Sequence, residues 1–200
     1  GRKIYMLGYG EDNKSDRRGL YTYDIISKKY NEIFTHPRVD IGLGAVAVDD
    51  ANQVVGVRVD DAYPAAVILK NVESDLKNAF MEIQKSYPYE QFFVTSSSED
   101  KKKLIVYMTS DINPGTYFLY DRDQSKFTPL ARSWSKIDYQ GLNQMIAYDF
   151  NNRDGVPIQA FLTQAKNKSN KKTIIYPHGG PWARDYWGFE PTAQFLAENN

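Results

Sequence analysis

The sequence contains no cysteine. Disulfides and thiolate metal sites are therefore excluded, while the compartment stays open between cytoplasm and periplasm. Histidine is scarce as well. Only His36 and His178 occur, no cluster of ligand-type residues gathers around either, and no metal or cofactor is expected. An excess of one charge is also missing: Lys+Arg and Asp+Glu each number 25, for a net charge of +0. Without a basic stripe the chain has no electrostatic footprint for nucleic acid. Its one lysine run, Lys101-Lys102-Lys103, lies beside Glu99 and Asp100 and reads as a solvated hairpin tip. No apolar stretch approaches the ~20 residues of a membrane-spanning helix, and no secretory leader pattern is visible. The motifs G-x-G-x-x-G, Walker A and G-x-S-x-G are all absent. The chain starts at Gly1 rather than at Met, and its last residues, LAENN, read as the middle of a helix. Both ends are therefore expected to be internal to a longer polypeptide.

What is present suffices for a core: 42% of the 200 residues are hydrophobic and 14% aromatic. Residues 1–135 read as short strands between polar turns. The expected strands are Lys3-Tyr9, Gly19-Ile26, Tyr30-Thr35, Ala45-Asp49, Gln53-Asp60, Ala65-Lys70, Gln91-Thr95, Lys103-Thr109, Gly115-Tyr120 and Phe127-Ala131. Connectors such as Asp49-Asn52, Ser98-Asp100 and Asn113-Gly115 carry Asp, Asn, Pro or Gly, which supply turn dihedrals at low cost. One helix interrupts, at Glu73-Tyr87. It places Leu76, Phe80, Ile83 and Tyr87 on one stripe, with Ser74 able to cap its start and Pro88 ending it.

An internal echo organises this region. LYTYDIISKKYNEI, Leu20–Ile33, aligns with YFLYDRDQSKFTPL, Tyr117–Leu130. Both carry Tyr-Asp, a polar turn, an aromatic, then an aliphatic residue. The copies lie about a hundred residues apart, and half of that suits a repeat of ~40–50 residues. Val67-Ile68-Leu69 falls near the midpoint. Two architectures fit: about three consecutive blades of a β-propeller, or a β-sandwich.

The pattern changes between Trp134 and Leu142, and a domain boundary is expected near residue 136. Met145-Phe150 and Val156-Thr163 read as a hairpin closed by an Asp-Gly turn. A lysine-rich loop, Gln164-Lys172, follows. Thr173-Tyr176 is apolar and β-branched without polar alternation, as suits a strand covered on both faces. After it come His178-Gly179-Gly180-Pro181 and a helix with Phe189, Ala193, Leu196 and Ala197 on one face and Pro191 in its first turn. The order strand, glycine loop, helix marks the start of an α/β unit.

Glycines after a buried strand let the backbone turn sharply and leave N–H groups uncovered. Such donors stabilise an oxyanion if they face the charge that develops in acyl transfer. The alternatives at this point are a simple strand-to-helix connector or a phosphate cradle, though the phosphate motifs are lacking. His178 sits in the donor loop and reads as a residue that orders it by hydrogen bonding. Arg184-Asp185 reads either as a local ion pair that holds the loop or as two solvated side chains.

The texts RDG at Arg153-Gly155, HGGP at His178-Pro181 and RDYWGF at Arg184-Phe189, behind blade-like strands, resemble the prolyl oligopeptidase family of serine peptidases. The nearest likeness is to its acylaminoacyl-peptidase and dipeptidyl-aminopeptidase branch. Ser110–Asp121 also looks like a late-blade segment of that branch. The resemblance implies a mostly β chain: the last blades of a propeller over residues 1–135, then the first strands and oxyanion loop of an α/β-hydrolase domain over 136–200. It implies a short peptide as substrate, no cofactor, and a Ser-Asp-His triad. Gly180 would offer the oxyanion N–H, Gly179 would give the turn its freedom, and His178 and Pro181 would fix its shape. The triad residues would lie beyond residue 200, so the piece itself is expected to be inactive, and homo-oligomerisation of the parent stays open. An esterase-type hydrolase and a non-enzymatic propeller binding protein are the other readings.

Overall fold

The computed structural model describes residues 2–10, 14–42, 44–70, 72, 74–166 and 172–199. They are mostly β, arranged as small antiparallel sheets. The chain divides into two compact units, Gly1–Met81 and Glu82–Asn200. The boundary expected near residue 136 falls inside the second.

The first unit holds two three-stranded meanders. One is formed by β1 (Lys3–Gly8), β2 (Gly19–Asp24) and β3 (Lys29–Phe34); the other by β4 (Val46–Val48), β5 (Val54–Asp60) and β6 (Pro64–Ile68). Strand β5 is central in its sheet, and Val54, Val55, Val57 and Val59 on it are buried. Full burial of each such side chain contributes roughly 1.5–3 kcal/mol. Leu20 of β2 joins Val54, Val57 and Val59 in one core with Val39, Ile41 and Ala45, so both sheets share it.

The second unit is built on a four-stranded meander, β7 (Gln91–Ser97), β8 (Lys103–Thr109), β9 (Thr116–Asp121) and β10 (Lys126–Arg132), paired in the order β10-β9-β8-β7. Leu104, Val106 and Met108 alternate along β8 and are buried, the period-2 signature of a strand covered on one face. Pro129 lies in β10, an edge strand, where its missing N–H interrupts no ladder interior. A hairpin of β11 (Met145–Asn151) and β12 (Pro157–Thr163) follows, then the helix α2 (Pro191–Glu198). The α1 helix (Asp75–Ser86) carries the expected apolar stripe, with Ala79 and Ile83 buried. Just past its end, Tyr87 packs edge-on against Phe127 at 4.9 Å.

The echo in the sequence is an echo in structure. Tyr23 pairs with Tyr30 and Asp24 with Lys29, while Tyr120 pairs with Phe127 and Asp121 with Lys126. In both hairpins the aspartate side chain accepts from turn N–H groups: Asp24 from Ile26 and Ser27, Asp121 from Gln124. Both turns place a non-glycine residue at positive φ, Lys28 at 57° and Ser125 at 48°. Each aspartate also meets a cation across the sheet. Arg2 Nε lies 2.7 Å from Asp24, and Lys103 Nζ 2.5 Å from Asp121. The lysine run lies at a hairpin tip as expected, and it is ion-paired there as well as exposed, with Lys102 on Asp123 at 2.8 Å.

One expectation fails. Thr173-Tyr176 forms no strand; it is extended and exposed, with Ile175 89% accessible. A run that is apolar on both faces needs neighbours on both sides, and no described strand pairs with it. Helix α2 ends at Glu198, where both the backbone N–H and the side-chain amide of Asn199 bond the Phe195 carbonyl.

Candidate functional site

The hairpin ahead of the glycine loop is closed as its sequence requires. Asn152 N donates to Val156 O at 2.9 Å, and Gly155 sits at φ +79°. The Asn152 side chain accepts from the N–H groups of Asp154 and Val156, an Asx turn that fixes the Asp-Gly reversal.

Beyond the extended 173–176 run, the segment from His178 to Ala183 is exposed and held by local bonds. The His178 ring approaches the Gly179 carbonyl at 2.7 Å through Nδ1. A carbonyl only accepts, so this contact requires the tautomer with its proton on Nδ1. Ala183 N donates to Pro181 O at 3.0 Å. Gly180 adopts φ +147°, a region open to glycine and strained for other residues. A Cβ there would stand 3.0 Å from Trp182 N. Gly179 has no positive φ, and a Cβ on it would meet open space. The conformational demand of the turn thus rests on Gly180. Arg184 lies over the Tyr186 ring, 4.4 Å from its centroid.

The loop is tied down further along. Trp187 Nε1 donates to Met145 O at 2.7 Å, and Gln91 Nε2 donates to Trp187 O at 3.4 Å. Phe189 packs against Trp134 at 5.9 Å. Glu190 caps α2 by accepting from Ala193 N, and Pro191 takes the first helical position.

Sequence reasoning missed a buried polar junction beside these anchors. The Asp111 side chain accepts from Met145 N at 2.7 Å and from Ile112 N at 3.0 Å. Gln194 of α2 accepts from Asn143 N at 2.8 Å and donates to Asn143 O and Asp111 O at 2.7 and 3.2 Å. Ser110, Asp111, Asn143 and Gln194 are all buried. Glu90 borders the cluster and accepts from Asn113 Nδ2 at 3.2 Å. Burial raises its carboxyl pKa above the ordinary range; the Asn113 bond opposes that and the Asp111 charge adds to it. The only signal in the sequence was the turn-rich text SDINPG, which marks a tight loop and nothing of its partners.

Among the described residues, no group of three or more His, Cys, Asp or Glu side chains could hold a metal ion. A depression of about 460 Å³ lies at the β7–β8 tip, lined by Ser98, Glu99 and Asp100, and none of the glycine-loop residues line it. Chemically, the loop presents a backbone turn beside an exposed imidazole. The sequence holds no G-x-S-x-G serine for that turn to serve.

No family model matches the chain. It is 26% identical over 200 residues to dipeptidyl aminopeptidase BIII of Pseudoxanthomonas mexicana, an alignment covering 92% of this chain and 28% of that protein. It is 29% identical over 126 residues to dipeptidyl peptidase family member 6 of Caenorhabditis elegans, covering 52% of this chain and 17% of that protein. The similarity is to dipeptidyl peptidases. It supports a dipeptidyl-peptidase-like family and a peptidase segment, and the chain spans less than a third of the length of either relative.

Proposed function

We propose that this chain is a segment of a serine peptidase of the prolyl oligopeptidase type, acting on short peptides. The carrying observation is that similarity to a dipeptidyl aminopeptidase extends over 92% of the chain, from the repeated sheets to the glycine loop. In this reading the three meanders are blades of a propeller, and the change to an α/β-hydrolase domain comes near residue 136. The matching hairpin registers of β2–β3 and β9–β10 favour a repeat over an unrelated sandwich. Gly180 supplies one oxyanion N–H, in a loop shaped by His178, Gly179 and Pro181. Its positive φ and the helix that follows suit a donor loop of this kind. The nucleophile, acid and base lie outside these 200 residues, so the segment alone does not hydrolyse peptides. The names of the relatives suggest release of N-terminal dipeptides.

The test uses a fluorophosphonate probe and a dipeptidyl chromogenic amide. The protein that carries this chain should be labelled on a serine outside residues 1–200 and should cleave the amide, whereas the 200-residue piece should remain unlabelled. Cleavage of acyl esters but not of peptide amides would indicate an esterase. Absence of both labelling and cleavage in the intact protein would remove the enzymatic reading and leave a peptide-binding protein.

A further inference from the structure

The exposed tip of the glycine loop makes local bonds, His178 to Gly179 and Ala183 to Pro181, so its own contacts do not say where it stands. Its position is set further along the chain, at Trp187 and at the helix α2. Trp187 reaches the carbonyl of Met145. Gln194, which is 7% exposed, holds both backbone groups of Asn143 and the carbonyl of Asp111. Asp111 in turn receives Met145 N, and the Asn143 side chain receives Lys166 N at 3.1 Å. Trp187 and Gln194 therefore grip the same short stretch, Asn143–Met145, at the entrance to β11. A glutamine on an otherwise apolar helix face is costly unless both ends of its amide are satisfied. Here they are, and entirely by backbone groups 51 and 83 residues earlier in the chain.

We propose that Gln194 is a positioning residue for the glycine loop: through Asn143 and Asp111 it fixes α2, and together with Trp187 it sets the direction of the Gly180 N–H. The inference rests on the peptidase reading above. An oxyanion donor acts on charge that exists in the transition state, so a displaced donor lowers kcat and leaves substrate binding largely alone. Misplacement of a catalytic group by ~1 Å costs up to ~100-fold in rate.

The experiment is made on the intact protein with three variants. Gln194→Leu removes the amide, Trp187→Phe removes the indole donor while retaining a ring, and Gln194→Glu keeps an acceptor but loses the donors. Activity is expressed per serine titrated by fluorophosphonate, which separates misfolded protein from mispositioned loops. Both Gln194→Leu and Trp187→Phe should lower kcat per titrated site about tenfold or more, with KM within about twofold. Gln194→Glu should recover relative to wild type as the pH falls, because a protonated carboxyl can again donate. The proposal is overturned if kcat per titrated site stays within about twofold of wild type, or if KM rises with kcat unchanged. It is equally overturned if Gln194→Leu merely reduces the number of titratable sites while Trp187→Phe is normal. A wild-type protein with no titratable serine fails differently: it removes the peptidase reading and this inference with it.

Discussion

Replacing Gly115 by alanine tests the loop that carries Asp111. Gly115 adopts φ +139°, and a Cβ built on it would fall into the edge of the Tyr107 ring, closer than real carbons approach. The ring cannot simply step aside. Its hydroxyl donates to Pro114 O at 3.1 Å, and it packs against Tyr117 at 4.8 Å and Phe93 at 6.2 Å. The Gly115 carbonyl itself accepts from Tyr139 and from Ser133 N. Backbone strain at such a φ costs about 1–3 kcal/mol, and forced overpacking adds about 1–3 kcal/mol. Gly115→Ala should therefore destabilise by about 2–6 kcal/mol, a large part of a typical domain's stability. Urea denaturation followed by tryptophan fluorescence reads the loss, since Trp187 is bonded to the Met145 that Asp111 holds. The two contributions separate in a Tyr107→Ala background, where the clash is gone and only the backbone term remains. A cost below about 0.5 kcal/mol, or the same cost in both backgrounds, would refute the reasoning.

Two predictions concern pH. Asp24 is held at a pKa of about 2, chiefly by the Ser27 N–H, with the Arg2 side chain and the Ile26 N–H also lowering it. Its folded pKa lies below the unfolded value of ~3.9, so its contribution is whole above about pH 4 and is lost as pH falls toward 2. Asp24→Asn should lower the denaturation midpoint at pH 7 and flatten its acid dependence in that window; an unchanged slope would count against the turn assignment. Glu90 shifts the other way, because burial raises its carboxyl pKa. Ionising it in the fold opposes stability above the unfolded value of ~4.3. Glu90→Gln, which keeps an acceptor for Asn113, should raise the midpoint at pH 7 and lose that gain below about pH 4. Equal or lower stability at pH 7 would contradict it.

The parts of this fold that were legible in the sequence are those whose causes are local. Strand β8 is a short β-branched and aromatic run bounded by polar turns, and the Asp24 and Asp121 turns are written in the few residues they bond. Hence both hairpins and the Asn152–Gly155 reversal could be placed to within a residue or two. The 173–176 run was misread as a formed strand because a β-branched composition states a preference for pairing, whereas pairing itself depends on neighbours. Gln194 was invisible for the converse reason. On a helix face of Ala193, Leu196 and Ala197 it reads as a polar interruption, and only Asn143 and Asp111, distant in sequence, give it a role. At the glycine loop the freedom of the turn was expected at Gly179, whereas the backbone has its positive φ at Gly180.

The paired hairpins carry a consequence for how such a chain can grow. In each copy the register, the turn and the aspartate that closes it are specified within one short segment, 20–33 or 117–130. A segment that encodes its own register can be copied or exchanged as a block, because its strands meet their neighbours in the same phase wherever it is inserted. Grafting the second segment in place of the first should leave β1 opposite the same strand faces. The chain is in this sense modular.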